Sequence, residues 1–148
     1  NKSSKNDKNK ELNSIEIDNL TKTSDFIKLR AETDSSALKK KFSNQTVYIK
    51  NLPSNNSSRS LYKIAEKIRY EALGGKMLKG IEKNFQQNYS HIINNKKKDQ
   101  LKTKEDVPVS EAFELYMLKK FHNIKLNSLT NNMLNFWEKD FDKVIDKH

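Results

Sequence analysis

Four groups of side chains have the types and spacing to do chemistry. Gly74-Gly75-Lys76, ahead of a helical pattern, has the outline of a phosphate cradle, in which bare backbone N–H groups face an anion. His91, His122 and His148 are candidate metal ligands. Glu138, Asp142 and Asp146 share one helical stripe, as a hard-cation site would require. Arg69 offers a planar fork for a carboxylate or for free carbonyls at a helix end.

Most of these weaken when read against their neighbours. The glycine pair lacks the P-loop spacing, has no Ser or Thr after the lysine, and follows a helix rather than a strand. A corner between two helices explains it better: Leu73 ends one helix, and Gly74 or Gly75 takes the left-handed position. Gly80 then allows the next helix to approach a neighbour closely. No histidine is paired at i, i+4 with another ligand. Lys139 and Lys143 run beside the acidic stripe, which reads as a salt-laced solvent face with Lys139–Asp142 and Lys143–Asp146 pairs. Glu66, three residues before Arg69, lies within pairing distance, which favours a structural anchor over a partner-facing arginine. No nucleophile–base spacing stands out, and the expectation is a chain without catalytic, cofactor-binding or metal residues.

The elements that must position these residues are helical. Glycine occurs three times, proline twice and cysteine never in 148 residues. Apolar periodicity predicts about five helices: 33–50 with Leu38, Phe42 and Ile49 inward, 58–73 with Ile64 and Ile68, and 77–94 with Phe85, Tyr89 and Ile92. A fourth opens at Asp106-Val107-Pro108 and runs to His122, burying Ala112, Phe113, Tyr116, Met117 and Phe121. The last, 130–146, buries Met133, Trp137, Phe141 and Val144 or Ile145. Asp34, Ser35 and Ser36 read as caps, Leu52–Ser58 as a turn and Asn95–Glu105 as a mobile loop. Within 13–30, SIEIDNL suits a short strand and DFIKLRAE an extended lead-in or a helical turn. The expectation is an all-α bundle over 26–148 behind a flexible, basic, disordered tail at 1–25.

Composition narrows the function classes. Without cysteine there are no disulfides or thiolate metal sites, and a reducing compartment fits. No apolar run reaches the ~18 residues of a membrane helix and no signal peptide is visible, so a cytoplasmic location is the default expectation. The chain begins at Asn1 and reads as a portion of something longer. The net charge of +10 invites a nucleic-acid reading. Only three of the 29 basic residues are arginine, however, and 18 asparagines accompany the lysines, as an A·T-rich genome would produce. A helical module binding nucleic acid or an acidic protein stays as the alternative to a helical interaction domain.

Four motifs in order carry a resemblance. Arg69-Tyr70-Glu71-Ala72-Leu73-Gly74 with Gly80-Ile81 resembles the R-V-E-A-[LI]-G…G-V segment of the CobT subunit of aerobic cobaltochelatase. Arg30-Ala31-Glu32-Thr33-Asp34 is similar to that family's R-G-E-A-D, and Val107-Pro108-Val109 with Glu111-Ala112 to its V-P-L-x-E-A. Trp137-Glu138 falls where a late Trp-containing helix is expected. Ala31 stands where the family often has glycine, and Asn123 where a glycine tends to close the fourth helix. The likeness covers the family's N-terminal domain. It implies late cobalamin biosynthesis, in a complex that uses ATP, magnesium and cobalt to metallate a corrin ring (a ligase forming nitrogen–metal bonds). The implied partners are an AAA+ ATPase subunit and a large chelatase subunit. The implied role of this domain is docking or assembly, with no cofactor of its own. Arg30, Glu32, Asp34, Arg69, Glu71, Gly74, Gly80, Pro108 and Trp137 are then motif residues that shape the scaffold.

Overall fold

The computed structural model describes residues 23–146, which form seven α-helices and one 3-10 turn, with no strand among the described residues. The helices are α1 (Thr23–Phe42), α2 (Gln45–Lys50), α3 (Asn56–Met77), α4 (Lys79–Asn95), α5 (Val109–Phe121), α6 (Ser128–Asn135) and α7 (Glu138–Ile145). The expected all-α class holds. The strand reading of SIEIDNL and the disordered tail lie outside the described residues. Residues 23–25, assigned above to the tail, are the first turn of α1, and DFIKLRAE is helix throughout.

Asparagine supplies much of the punctuation. Asn44 caps α2 by accepting from the Val47 N–H at 3.1 Å, and Asn55 caps α3 by accepting from the Ser58 N–H at 2.7 Å. Asn127 and Thr130 form a reciprocal capping box on α6. Asn123, with φ of 53°, is the one non-glycine residue in the left-handed region among the described residues and closes the turn after α5. In a chain with so few glycines, short amides do the stopping and starting.

The third helix is the spine. It packs against α1, α4 and α5, while α5 also carries α6 and α7. The core gathers Ile68, Phe85, Tyr89, Leu115, Tyr116 and Met133. Burial withdraws these side chains from water at roughly 1.5–3 kcal/mol each, which is what holds short helices of modest propensity together.

Several boundaries differ from the periodicity. The expected helix 33–50 is two helices: α1 runs through Asp34, Ser35 and Ser36, so these are interior residues rather than caps. Ile49 on α2 is exposed. The last expected helix is broken at Phe136 and Trp137, leaving Val144 and Ile145 exposed on α7. Ile92 and Phe121 are exposed as well, while Leu115 and Leu118 fill the core positions on α5. Pro108 stands just before α5, where its missing N–H costs nothing, and its carbonyl accepts from Glu111 and Ala112.

The helix corner is real but is not made by glycine. No described glycine has positive φ, and α3 continues through Gly74 and Gly75 to Met77. The chain turns at Leu78, in extended conformation (φ −133°, ψ 106°), and α4 starts at once. Gly74 has a different reason to be small. A Cβ there would overlap the buried side chain of Leu38 on α1, so the two helices can touch only because it is absent. Gly80 meets nothing within 4 Å, so its expected close-packing role is not found. In this hairpin an extended Leu78 makes the bend, and Gly74 sets how near α1 comes.

Candidate functional site

Glu71 is the one fully buried carboxylate among the described residues. It sits mid-helix on α3 and is 1% exposed, an unusual place for a carboxylate. Three neighbouring elements supply partners. Ser35 Oγ on α1 donates to its Oε2 at 2.7 Å, and the Tyr89 hydroxyl on α4 donates to Oε1. His122, at the C-terminal end of α5, brings Nε2 to 3.6 Å from Oε1. That nitrogen is the one buried side-chain polar atom among the described residues without a hydrogen-bond partner.

Burial alone would raise the Glu71 carboxyl. The groups facing it (His122, Tyr89 and Ser35), with the more distant charge of Lys67, outweigh that and hold it below the usual carboxylate range. The phenol of Tyr89 moves the other way, pushed far up by burial and by the Glu71 charge beside it. The cluster therefore consists of an ionised acid, two hydroxyl donors and an imidazole, packed among Phe85 and Tyr89, whose rings lie 5.9 and 5.5 Å from that of His122. An open cavity of about 400 Å³ adjoins it, with Tyr70, Glu71 and Asn88 in its wall and Lys39 and Lys67 among its lining. Each Glu71 oxygen accepts one internal donor, Oε2 from Ser35 and Oε1 from Tyr89.

A second cluster joins α1 to α3 nearer the surface. Arg69 donates from Nε and Nη2 to the two oxygens of Glu66, at 2.9 and 2.6 Å, and from Nη2 to the Phe42 carbonyl at 2.9 Å. Ser43 Oγ also donates to Glu66, at 2.9 Å. The Arg69 hydrogen bond, joined by that of Ser43, keeps the Glu66 carboxyl below its ordinary value against the opposing effect of burial. The arginine thus ties off the C-terminal end of α1, whose last carbonyls have no partner within the helix.

The other motif residues are dispersed. Asp34 accepts from the Asn84 amide at 2.8 Å, fastening α1 to α4. Arg30 lies over the Phe26 ring at 5.9 Å, and Glu32 faces Lys28 at 3.9 Å; both are exposed. Trp137 donates from Nε1 to the Val107 carbonyl at 3.1 Å and carries Lys104 Nζ over its ring at 4.3 Å. Ser35, Tyr89 and His122 were not legible as partners of Glu71. Each comes from a different helix, and only the spacing of Ser35 from Ala31 (four residues) and from Leu38 (three) hints that Ser35 faces inward.

The acidic stripe of α7 resolves differently from its expected pairing. Glu138 pairs with Lys119 at 3.3 Å and Asp142 with Lys120 at 3.6 Å, both on α5, and Asp142 also accepts from the Tyr116 hydroxyl at 2.8 Å. The Lys139–Asp142 and Lys143–Asp146 pairs are not formed; the stripe fastens α7 to α5. Among the described residues no three His, Cys, Asp or Glu side chains come together as a metal site would need. No helix among them is long and apolar enough to cross a membrane.

A single-spine helical bundle, locked internally by a buried acid network and externally by an arginine clamp, is the class of protein this architecture defines. Residues 2–148 match the model of the family described as cobalamin biosynthesis protein CobT, and the chain belongs to that family. Membership places it in cobalamin biosynthesis, in the context of cobaltochelatase. No curated protein and no solved structure matches the chain.

Proposed function

We propose that this chain is a non-catalytic docking and assembly domain of a cobaltochelatase subunit. Its partners in this reading are an AAA+ ATPase subunit and the large subunit that metallates the corrin. ATP, magnesium and cobalt are used by the complex and are held elsewhere in it. One observation supports this above the rest: Glu71, the acid of the R-x-E-A-L-G motif, is buried with both oxygens taken by Ser35 and Tyr89. A motif whose acid is hydrogen-bonded inside the core to hydroxyls of two other helices fits a part that shapes a scaffold.

The test is reconstitution. The purified chain, mixed with the ATPase subunit and passed over a sizing column, is expected to co-elute with it, while the chain alone hydrolyses no ATP. Separate elution would overturn the reading. Retention on DNA that falls steeply with rising salt would replace it with the basic-module alternative.

A further inference from the structure

An apolar groove of about 390 Å³ runs between α3 and α5 on the surface. Ala65 and Ala72 form part of it, and their small side chains leave room between Leu73 on one helix and Met117 and Phe121 on the other. Leu73 is 36% exposed and Phe121 53%, although both sit on helices whose other faces are packed. Exposed leucine and phenylalanine around one depression are not explained by the internal packing of the bundle.

The rim is charged with one sign. Arg69 and Lys76 border the groove and no carboxylate lines it. Arg69 is engaged through Nε and Nη2, leaving Nη1 without a partner among the described residues, and its side chain is 46% exposed. Lys76 forms no ion pair among the described residues. The lining residues of α3 recur at 65, 69, 72 and 76, one continuous helical stripe. At about 1.5 Å per residue it spans roughly 16 Å, the length of three helical turns.

We infer that this groove receives an amphipathic helix of about three turns from a partner protein, with apolar side chains entering between Leu73 and Phe121 and carboxylates meeting Arg69 and Lys76. The inference rests on the docking reading above and assigns it a surface and a partner chemistry. An acidic helix fits because Lys76 has no ion pair among the described residues, Arg69 keeps an exposed edge and Nη1 beyond its pair with Glu66, and no carboxylate lines the groove. A second copy of this chain fits poorly, since it would bring the same two cations to the same rim.

The experiment has two arms. In the first, the isotopically labelled full chain is titrated with a synthetic helical peptide of leucines flanked by glutamates, and with a version carrying lysine for glutamate. Amide shifts should centre on Ala65, Ala72, Leu73, Met117 and Phe121, and the glutamate peptide should bind at least about tenfold tighter. Lys76→Glu should remove most of that preference. Shifts spread over the whole surface, equal binding of the two peptides, or self-association of the chain through this groove would each overturn the assignment. In the second arm, Phe121→Asp is compared with Val47→Asp, which places the same charge on an exposed apolar residue of α2 (53% exposed). Phe121→Asp should abolish co-elution with the ATPase subunit and Val47→Asp should not. Co-elution unaffected by Phe121→Asp would sink the groove and spare the docking role. Peptide binding in the groove without any co-elution would do the reverse.

Discussion

Ser35 on α1 and Glu71 on α3, 36 positions apart in sequence, share a buried hydrogen bond of 2.7 Å. That bond ties the family motif in α3 to a serine with no evident role in the linear chain. It makes the acid part of the core, and the consequences are measurable.

Replacing Glu71 with alanine leaves the Ser35 and Tyr89 hydroxyls buried without their acceptor and opens a small void. The expected loss is about 2–4 kcal/mol, from two unmet donors at roughly 1–3 kcal/mol each, partly relieved by relaxation. Glu71→Gln keeps the shape and one acceptor oxygen and should cost less than half as much. Urea midpoints of the two variants decide this. Equal losses would show that the retained shape and single acceptor oxygen contribute nothing, so that the charge and second oxygen carry the whole effect.

The same carboxyl predicts how stability follows pH. Its folded value lies below the ordinary 4.5, so its contribution is fully present above that point and disappears as pH falls through the folded value. Glu66, lowered by Arg69, acts in the same direction in the same window. Urea midpoints should therefore hold steady at neutral pH and decline below about pH 4.5. Glu71→Gln should have a shallower decline than the parent chain. An identical slope would remove Glu71 from the account.

Two glycines on adjacent helices should respond in opposite ways. Gly74→Ala drives a methyl into Leu38, whose buried position restricts its retreat, and should cost about 1–3 kcal/mol. Gly80→Ala meets open space in the first turn of α4 and should gain about 0.5–1 kcal/mol from reduced backbone freedom in the unfolded chain. Gly74→Ala should cost less in a Leu38→Ala background than in the parent chain, because the obstacle is shortened there. Thermal melting of the parent, the three single variants and the double variant tests the contact directly; equal behaviour at 74 and 80 would refute it.

Asn123 holds φ of 53° at the end of α5, where the resemblance led to an expectation of glycine in related chains. Asn123→Gly should be neutral or stabilise by under about 1 kcal/mol, because glycine enters that region without steric cost. Asn123→Val should destabilise by about 1 kcal/mol or more. Chemical denaturation of both variants gives the sign. A harmless valine would mean that the turn can rearrange.

The amino-acid sequence alone was enough for the class of fold. Low glycine and proline content and apolar residues at helical spacing leave few alternatives to packed helices, and motif order carried the family. Arg69 with Glu66 could be paired on one helix because their spacing is local. What needed three dimensions is whatever joins distant helices. The Glu71 cluster draws Ser35, Tyr89 and His122 from three other elements, and helical periodicity says which side faces inward without saying what it meets there. The Asn44 cap divides α1 from α2, and the break between α6 and α7 falls at Trp137, which is bonded to the Val107 carbonyl; neither is visible in a continuous apolar stripe. Gly74 shows the limit most clearly: composition marked it as special, but only the proximity of Leu38 shows that the missing side chain, and not a left-handed backbone, is the reason.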